Sequence, residues 1–394
     1  MKKNMLLLIV IVFATAAQSQ SWNITGNAGT NPSIHFLGTT DNQPLRFRVN
    51  NTYAGEINFT NAKTTLGYGA GQGNTGSYSV AIGYMTSYSN PGYQNTAVGA
   101  YALYYNSNGY NTAVGYSALY SNTSGNSNIG VGYAALVQNT TGYNNVAVGE
   151  SAARTNVNGN NNVAIGSAAL FNTTGSLYNT AVGYRAGANY NLGYNNTILG
   201  ANSGGSFAGQ YNIVAIGQGV TCPDNSTARI GNSATWSIGG YAGWSNFSDG
   251  RFKKDIKEDV KGLDFIMKLR PVTYHLDIAG LSKQLKENNG EEWNAQMKSA
   301  ITEKEKMLFT GFVAQEVEKA AADAGYDFNG VDKPKQADGY YALRYAEFVV
   351  PLVKAMQEQQ QMIEALKKQN AEMQNRMLEL EKKMASCIIT TAAR

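Results

Sequence analysis

Cysteine, histidine, proline and, over long stretches, charge are scarce in this chain of 394 residues. Its two cysteines, Cys222 and Cys387, lie far apart and exclude a disulfide framework. His35 and His275 are the only imidazoles, so a histidine-built metal site would need a second chain, and no cofactor is expected. No apolar run is long enough to span a bilayer, which takes about 20 residues. Charged residues make up only 15%, yet 11% are aromatic, with 25 tyrosines, which is unlike the aromatic-poor composition of a disordered chain.

The shortage of charge is local. Residues 64–247 carry only Glu150, Arg154, Arg185, Asp224 and Arg229, whereas residues 248–394 hold 46 of the 58 charged side chains. In that C-terminal part 23 acids balance 23 bases, so there is no basic field to attract nucleic acid. The abrupt change marks a domain boundary near 247–248. At the other end, Lys2 and Lys3 precede an apolar run of about ten residues, followed by small residues at Ala14-Thr15-Ala16 and Ala17-Gln18-Ser19. This reads as a secretory signal peptide over 1–19, giving an exported protein at the cell surface or outside the cell, with no transmembrane segment in the mature chain.

Between these ends the sequence repeats. Leu66-Gly67, Ile82-Gly83, Val98-Gly99, Val114-Gly115, Val131-Gly132, Val148-Gly149, Ile165-Gly166, Val182-Gly183, Leu199-Gly200 and Ile216-Gly217 recur every 16 residues three times and then every 17 residues six times. Asparagine stands four places before the glycine at Asn95, Asn111, Asn128, Asn145, Asn162, Asn179 and Asn196. A fixed period of this size predicts a β-solenoid, with two short strands and two tight turns per coil. The Val, Ile or Leu before each glycine is expected to face inward and its alanine neighbour outward. Stacked asparagines are expected to hydrogen-bond along the column. One coil buries too little apolar surface to offset its ordering entropy, so other chains are expected to cover an exposed apolar face. Ahead of the repeats, residues 36–41 and 44–50 alternate apolar and polar side chains and read as strands.

Repeats such as Asn162-Val163-Ala164-Ile165-Gly166 resemble the head repeats of trimeric autotransporter adhesins, over roughly 64–235. The resemblance implies a homotrimeric β-roll displayed on a surface, with an unknown glycan or protein ligand. A tail-spike-like glycan hydrolase is the alternative. It would need two close carboxylates, and only Glu150 and Asp224 are available, more than four repeats apart. A glycan- or ice-binding solenoid is a further option.

After the boundary comes Ser248-Asp249-Gly250-Arg251-Phe252-Lys253. A serine and a lysine five residues apart can form a Ser–Lys dyad if a turn or a neighbouring chain brings them together and the amine is neutral. Three further blocks follow: Leu269-Arg270-Pro271-Val272-Thr273-Tyr274, Gly311-Phe312-Val313-Ala314-Gln315-Glu316-Val317 and Tyr341-Ala342-Leu343-Arg344-Tyr345. Together the four resemble the endosialidase-type intramolecular chaperone of phage tail fibres and spikes. The resemblance implies a module that trimerises the upstream fibre and then releases itself by autoproteolysis. Ser248 would be the nucleophile and Lys253 the general base, with Asp249 and Arg251 in supporting roles. That is at most a single-turnover serine peptidase. The charged segment 281–308 reads as an insertion into this pattern.

The tail carries heptads. Val349, Met356, Ile363, Asn370, Met377 and Met384 fall at a, with Leu352, Gln359, Leu366, Met373, Leu380 and Cys387 at d, as in a coiled coil. Pro351 suits the first helical turn. The expected layout is a signal peptide (1–19), a β cap (20–63), the solenoid (64–235), a linker (236–247), an α+β chaperone domain (248–348) and a coiled coil (349–387).

Overall fold

The computed structural model describes residues 23, 25–73, 76–335 and 339–392, with side chains to 385. The signal-peptide segment and the side chain of Cys387 lie outside the described residues. Among these residues no helix is long and apolar enough to cross a membrane.

The N-terminal part is mainly β. A hairpin opens it: β1 (Leu45–Val49) and β2 (Thr52–Asn58) pair antiparallel around Asn50 and Asn51. Both turn residues have positive φ, 47° and 58°, the backbone of the two-residue turn whose twist matches a hairpin. Residues 36–41, expected as a strand, form bends instead. Phe36 and Leu37 stay more than half exposed, so burial does nothing to hold that stretch extended.

From β3 (Lys63–Leu66), which pairs antiparallel with β2, the chain winds as a parallel β-solenoid. Each coil adds a three-residue strand, such as Thr112–Val114, Val146–Val148 or Thr180–Val182, to one sheet of 13 strands. The expected second strand of each coil is largely missing. Its place is taken by turns, with isolated bridges such as Ser89 to Tyr105 and Asn160 to Leu177. Left-handed residues at Leu103, Leu119, Leu136 and Leu170 interrupt any extended run there. That conformation costs about 1 kcal/mol per residue. Offsetting it, each of these leucines is wholly buried, and coil-to-coil bonds such as Leu119 N–H to the Ala135 carbonyl (2.9 Å) tie the turn down.

The expected orientation of the strands is reversed. Ala97, Ala113, Ala147, Ala164 and Ala181 are fully buried, while Val148 and Val182 remain 37% exposed and Ile165 40%. The coil is narrow, so where a leucine stands on the opposite wall the strand centre holds no more than a methyl group, whereas Ile198 is fully buried beside Gly187, which leaves room for it. The branched side chains flanking each alanine therefore point out.

Asparagine columns hold the coils in register. From Asn95 to Asn179 each Oδ1 accepts the backbone N–H of the asparagine one coil further on, at 2.9–3.0 Å, and the Oδ1 of Asn196 accepts that of Ile213 at 3.1 Å. A second column runs through Asn90, Asn106, Asn122, Asn139 and Asn156, linked amide to amide at 2.6–3.0 Å. All are buried, and a buried amide is tolerable because it is hydrogen-bonded.

At the hairpin, Glu56 is buried beside Arg46 and Lys63, each at 3.2 Å. Burial acts to raise its carboxyl pKa, but hydrogen bonding and charge from Lys63, with Asn58 and Arg46, outweigh that and hold it below the ordinary value. Its contribution is therefore complete above the unfolded value of about 4.3 and is lost as pH falls through the lower folded value. Glu56→Gln should abolish that acid-side loss of protection in hydrogen exchange over residues 45–66, after correction for intrinsic rates. An identical acid slope in both proteins would refute this account.

The C-terminal region mixes helices with short antiparallel strand pairs. It contains α1 (Leu263–Ile266), α2 (Ile278–Gln284), α3 (Ala295–Glu305), α4 (Ala314–Asp323) and α5 (Val349–Ala392). Phe265, Phe328 and Phe348 pack with Val317, Ala320 and Ala321 as its core. Pro351 sits in the first turn of α5, where a missing N–H costs little. Beyond that core and as far as residue 385, α5 is exposed on every side, including Ile363, Leu366, Met373, Met377 and Leu380 of its heptad seam.

Candidate functional site

Ser248 and Lys253 meet because the chain turns between them. Asp249 caps a single 3-10 turn, Gly250–Phe252, accepting the backbone N–H of Arg251 at 2.9 Å. The turn folds Lys253 back, and its Nζ donates to Ser248 Oγ at 2.9 Å. On a straight strand the two side chains would lie on opposite faces.

Asp249 has a second task. Arg251 forks onto its carboxylate, Nε at 3.0 Å and Nη2 at 2.6 Å from Oδ2. That side-chain hydrogen bond, helped by the backbone one, lowers the Asp249 carboxyl pKa and raises that of Arg251. Asp249 and Arg251 thus form a charged clip that holds the turn which presents the serine and lysine. All four residues are exposed in a single chain, as are the flanking Phe247, Phe252 and Ile256.

The other three motif blocks come together elsewhere in the module. Strand Val272–Tyr274 pairs with Phe309–Gly311. Arg270 donates to Glu316 at 3.0 Å, and the backbone N–H of Phe312 donates to the Tyr345 hydroxyl at 3.1 Å. The hydrogen bonds found for Ser248, Asp249, Arg251 and Lys253 stay within their own motif, so these blocks shape the module rather than the dyad. A cleft of about 590 Å³ between the last coils and α2 is lined by Ser206, Asp224, Lys283 and Tyr340, and not by the dyad. Among the described residues no group of three or more His, Cys, Asp or Glu side chains could hold a metal.

Residues 248–326 match the family described as chaperone of endosialidase. The match begins at Ser248, where the charge density of the sequence changes. The chain thus joins a β-solenoid to an intramolecular chaperone module of a kind associated with trimer assembly. No curated protein and no solved structure matches the chain.

Proposed function

We propose that this chain is an exported, homotrimeric fibre or adhesin-like surface protein whose C-terminal module gathers three copies and then cuts the chain once, beside Ser248. One observation carries the reading. A chain bearing a chaperone module leaves two long apolar faces without a partner, one on the sheet and one on α5.

The outward face of the sheet runs over 11 parallel strands from Lys63–Leu66 to Ala228–Ile230, about 48 Å at ~4.8 Å per strand. Its columns are built from Thr, Val, Ile and Leu, with Ala228 in the last strand, where Arg229 is confined to the middle position. Apolar surface on this scale marks an interface. The heptad seam of α5 makes the same demand at the other end of the chain. Three copies, rather than two, follow from the family resemblance. Local helical contacts form quickly, whereas pairing across many coils is slow and leaves edges open. A coiled coil that first registers the chains removes that hazard. The repeated tyrosines on the exterior supply the surface for a ligand.

In the cut, neutral Lys253 accepts the Ser248 hydroxyl proton while Oγ attacks an adjacent peptide carbonyl carbon. The C–N bond breaks, its nitrogen takes the proton, and water hydrolyses the resulting ester. A lysine is neutral near pH 7 only where burial or nearby positive charge disfavours the ammonium. In one chain the pair is exposed, so neighbouring copies must cover it, and Phe247, Phe252 and Ile256 offer the apolar surface for that. Assembly would then switch on the cut.

On denaturing gels the wild type should give two fragments, and Ser248→Ala and Lys253→Ala one full-length band. Uncut wild type would overturn self-cleavage and leave a chaperone that assembles without cutting. Sedimentation with and without residues 248–394 tests assembly: loss of the trimer is expected on truncation of the gene.

A further inference from the structure

The segment 281–308, which reads in sequence as an insertion, is docked on the solenoid. Two residues after Gly183, Gly200 and Gly217 stand Arg185, Asn202 and Gly219, all with left-handed backbone, at one corner of three successive coils. The turn Glu287–Gly290, between α2 and α3, lies along that corner. The Asn288 backbone N–H donates to the Gly219 carbonyl at 3.0 Å, and Asn202 Nδ2 donates to Asn288 Oδ1 at 2.9 Å. Arg185 pairs with Glu291.

Beyond the last coil the grip continues. Ser233 N–H donates to Glu287, and Lys304 Nζ donates to the carbonyls of Ser233 (2.8 Å) and Thr235 (2.6 Å). Glu287 is 4% exposed and Asn288 6%. Apolar contact adds to this, since Ala234 packs with Ile278, Ile301, Trp293 and Met297. Trp293 lies so close over Gly219 that a Cβ there would stand 2.2 Å from its ring. Lys286, Asn288 and Asn289 all have positive φ; asparagine adopts that backbone readily, whereas for Lys286 it costs about 1 kcal/mol that the contacts of the turn must offset.

The covalent connection is different in kind. Residues 236–247 form no regular structure, and Trp236, Ile238, Tyr241, Trp244 and Phe247 are all well exposed. The linker tethers the two parts and contributes no packing. A break in it removes effective concentration but none of the contacts above.

We propose that the arm formed by α2, the Glu287–Gly290 turn and α3 is a non-covalent clasp on the last three coils, so that a cut beside Ser248 leaves the C-terminal module seated on the fibre. The consequence for the fibre rests on self-cleavage, but the clasp does not. It differs from the release that the family resemblance implies.

The test separates the two. A site for a sequence-specific protease is placed within residues 239–243 of full-length protein carrying Ser248→Ala, so the break is made externally. After digestion, size-exclusion chromatography under native conditions should return both fragments in one peak. Trp293→Ala and Asn288→Ala, made separately in that background and checked by circular dichroism for intact solenoid and helix, should each weaken fragment association about tenfold or more, the range for a buried anchor or a buried hydrogen-bonded pair. Should a variant misfold, the charge reversals Arg185→Glu and Glu291→Arg, alone and combined, replace it, with recovery expected only in the pair. Separation of the two fragments in the Ser248→Ala background, with no substitution in the arm, would overturn the clasp. Self-cleavage is read independently, from the wild type on a denaturing gel.

Discussion

Gly149→Ala is expected to break the solenoid in its middle. Gly149 has φ +137°, a backbone that side-chain-bearing residues rarely adopt, and a Cβ there would lie 2.6 Å from both the carbonyl carbon and oxygen of Gly166 in the next coil. Neither atom can move without moving the coil, because Val146–Val148 and Val163–Ile165 are hydrogen-bonded strand to strand. Strain and collision together should cost on the order of 4 kcal/mol, the range reserved for backbone and core defects. Gly209→Ala is the control: its φ is +77° and nothing lies within 4 Å of the added atom, so only about 1 kcal/mol of conformational cost applies. Thermal unfolding and protease resistance compare the two. Equal stability of both variants would show that the glycine stack does not set the coil spacing.

Val148→Asp combined with Val182→Asp is expected to leave each coil folded and abolish the trimer. Both valines point out from the sheet and are partly exposed in a single chain, so a carboxylate there stays hydrated and harms nothing locally. In the proposed trimer the same positions would face other copies. An unpaired buried carboxylate costs several kcal/mol, and three chains bring six of them into one interface. Sedimentation should show single chains, with β-type circular dichroism retained. Tyr178→Asp, 58% exposed and outside the sheet strands, should leave the mass unchanged. A double variant that keeps the wild-type mass would place the interface on another face.

These two expectations separate what could be read from the residues from what could not. The glycine spacing announces the coil length, because each glycine must occupy a backbone that other residues avoid. The asparagine series announces a ladder for a similar reason: identical amides stacked one strand apart satisfy each other. Its second column, at Asn90 to Asn156, was just as regular but lay in the turn-rich stretches, where asparagine is common for other reasons. The direction of the valines was not legible. In a three-residue strand with apolar side chains at all three positions, alternation exists but carries no sign. Only the width of the closed coil decides that alanine goes in.

The candidate site divides in the same way. The sequence singles out Ser248 and Lys253 as a candidate pair, with Asp249 and Arg251 as their companions. That they meet depends on the turn between them, which Asp249 caps and Arg251 secures. The arm at 281–308 had no signal as a contact surface. Arg185 and Glu291 are 106 residues apart, and neither belongs to a periodic pattern that points to the other.

By itself the sequence determined a repeating coil of sixteen or seventeen residues, a change of charge density near 247–248 and a heptad-bearing tail, because period, charge density and glycine content are local properties that each coil or turn enforces on its own. Tertiary structure alone decided which side chains face out, where the arm docks and whether serine and lysine touch. Those depend on what stands opposite a residue once the chain has closed on itself, and no short stretch of sequence carries that information.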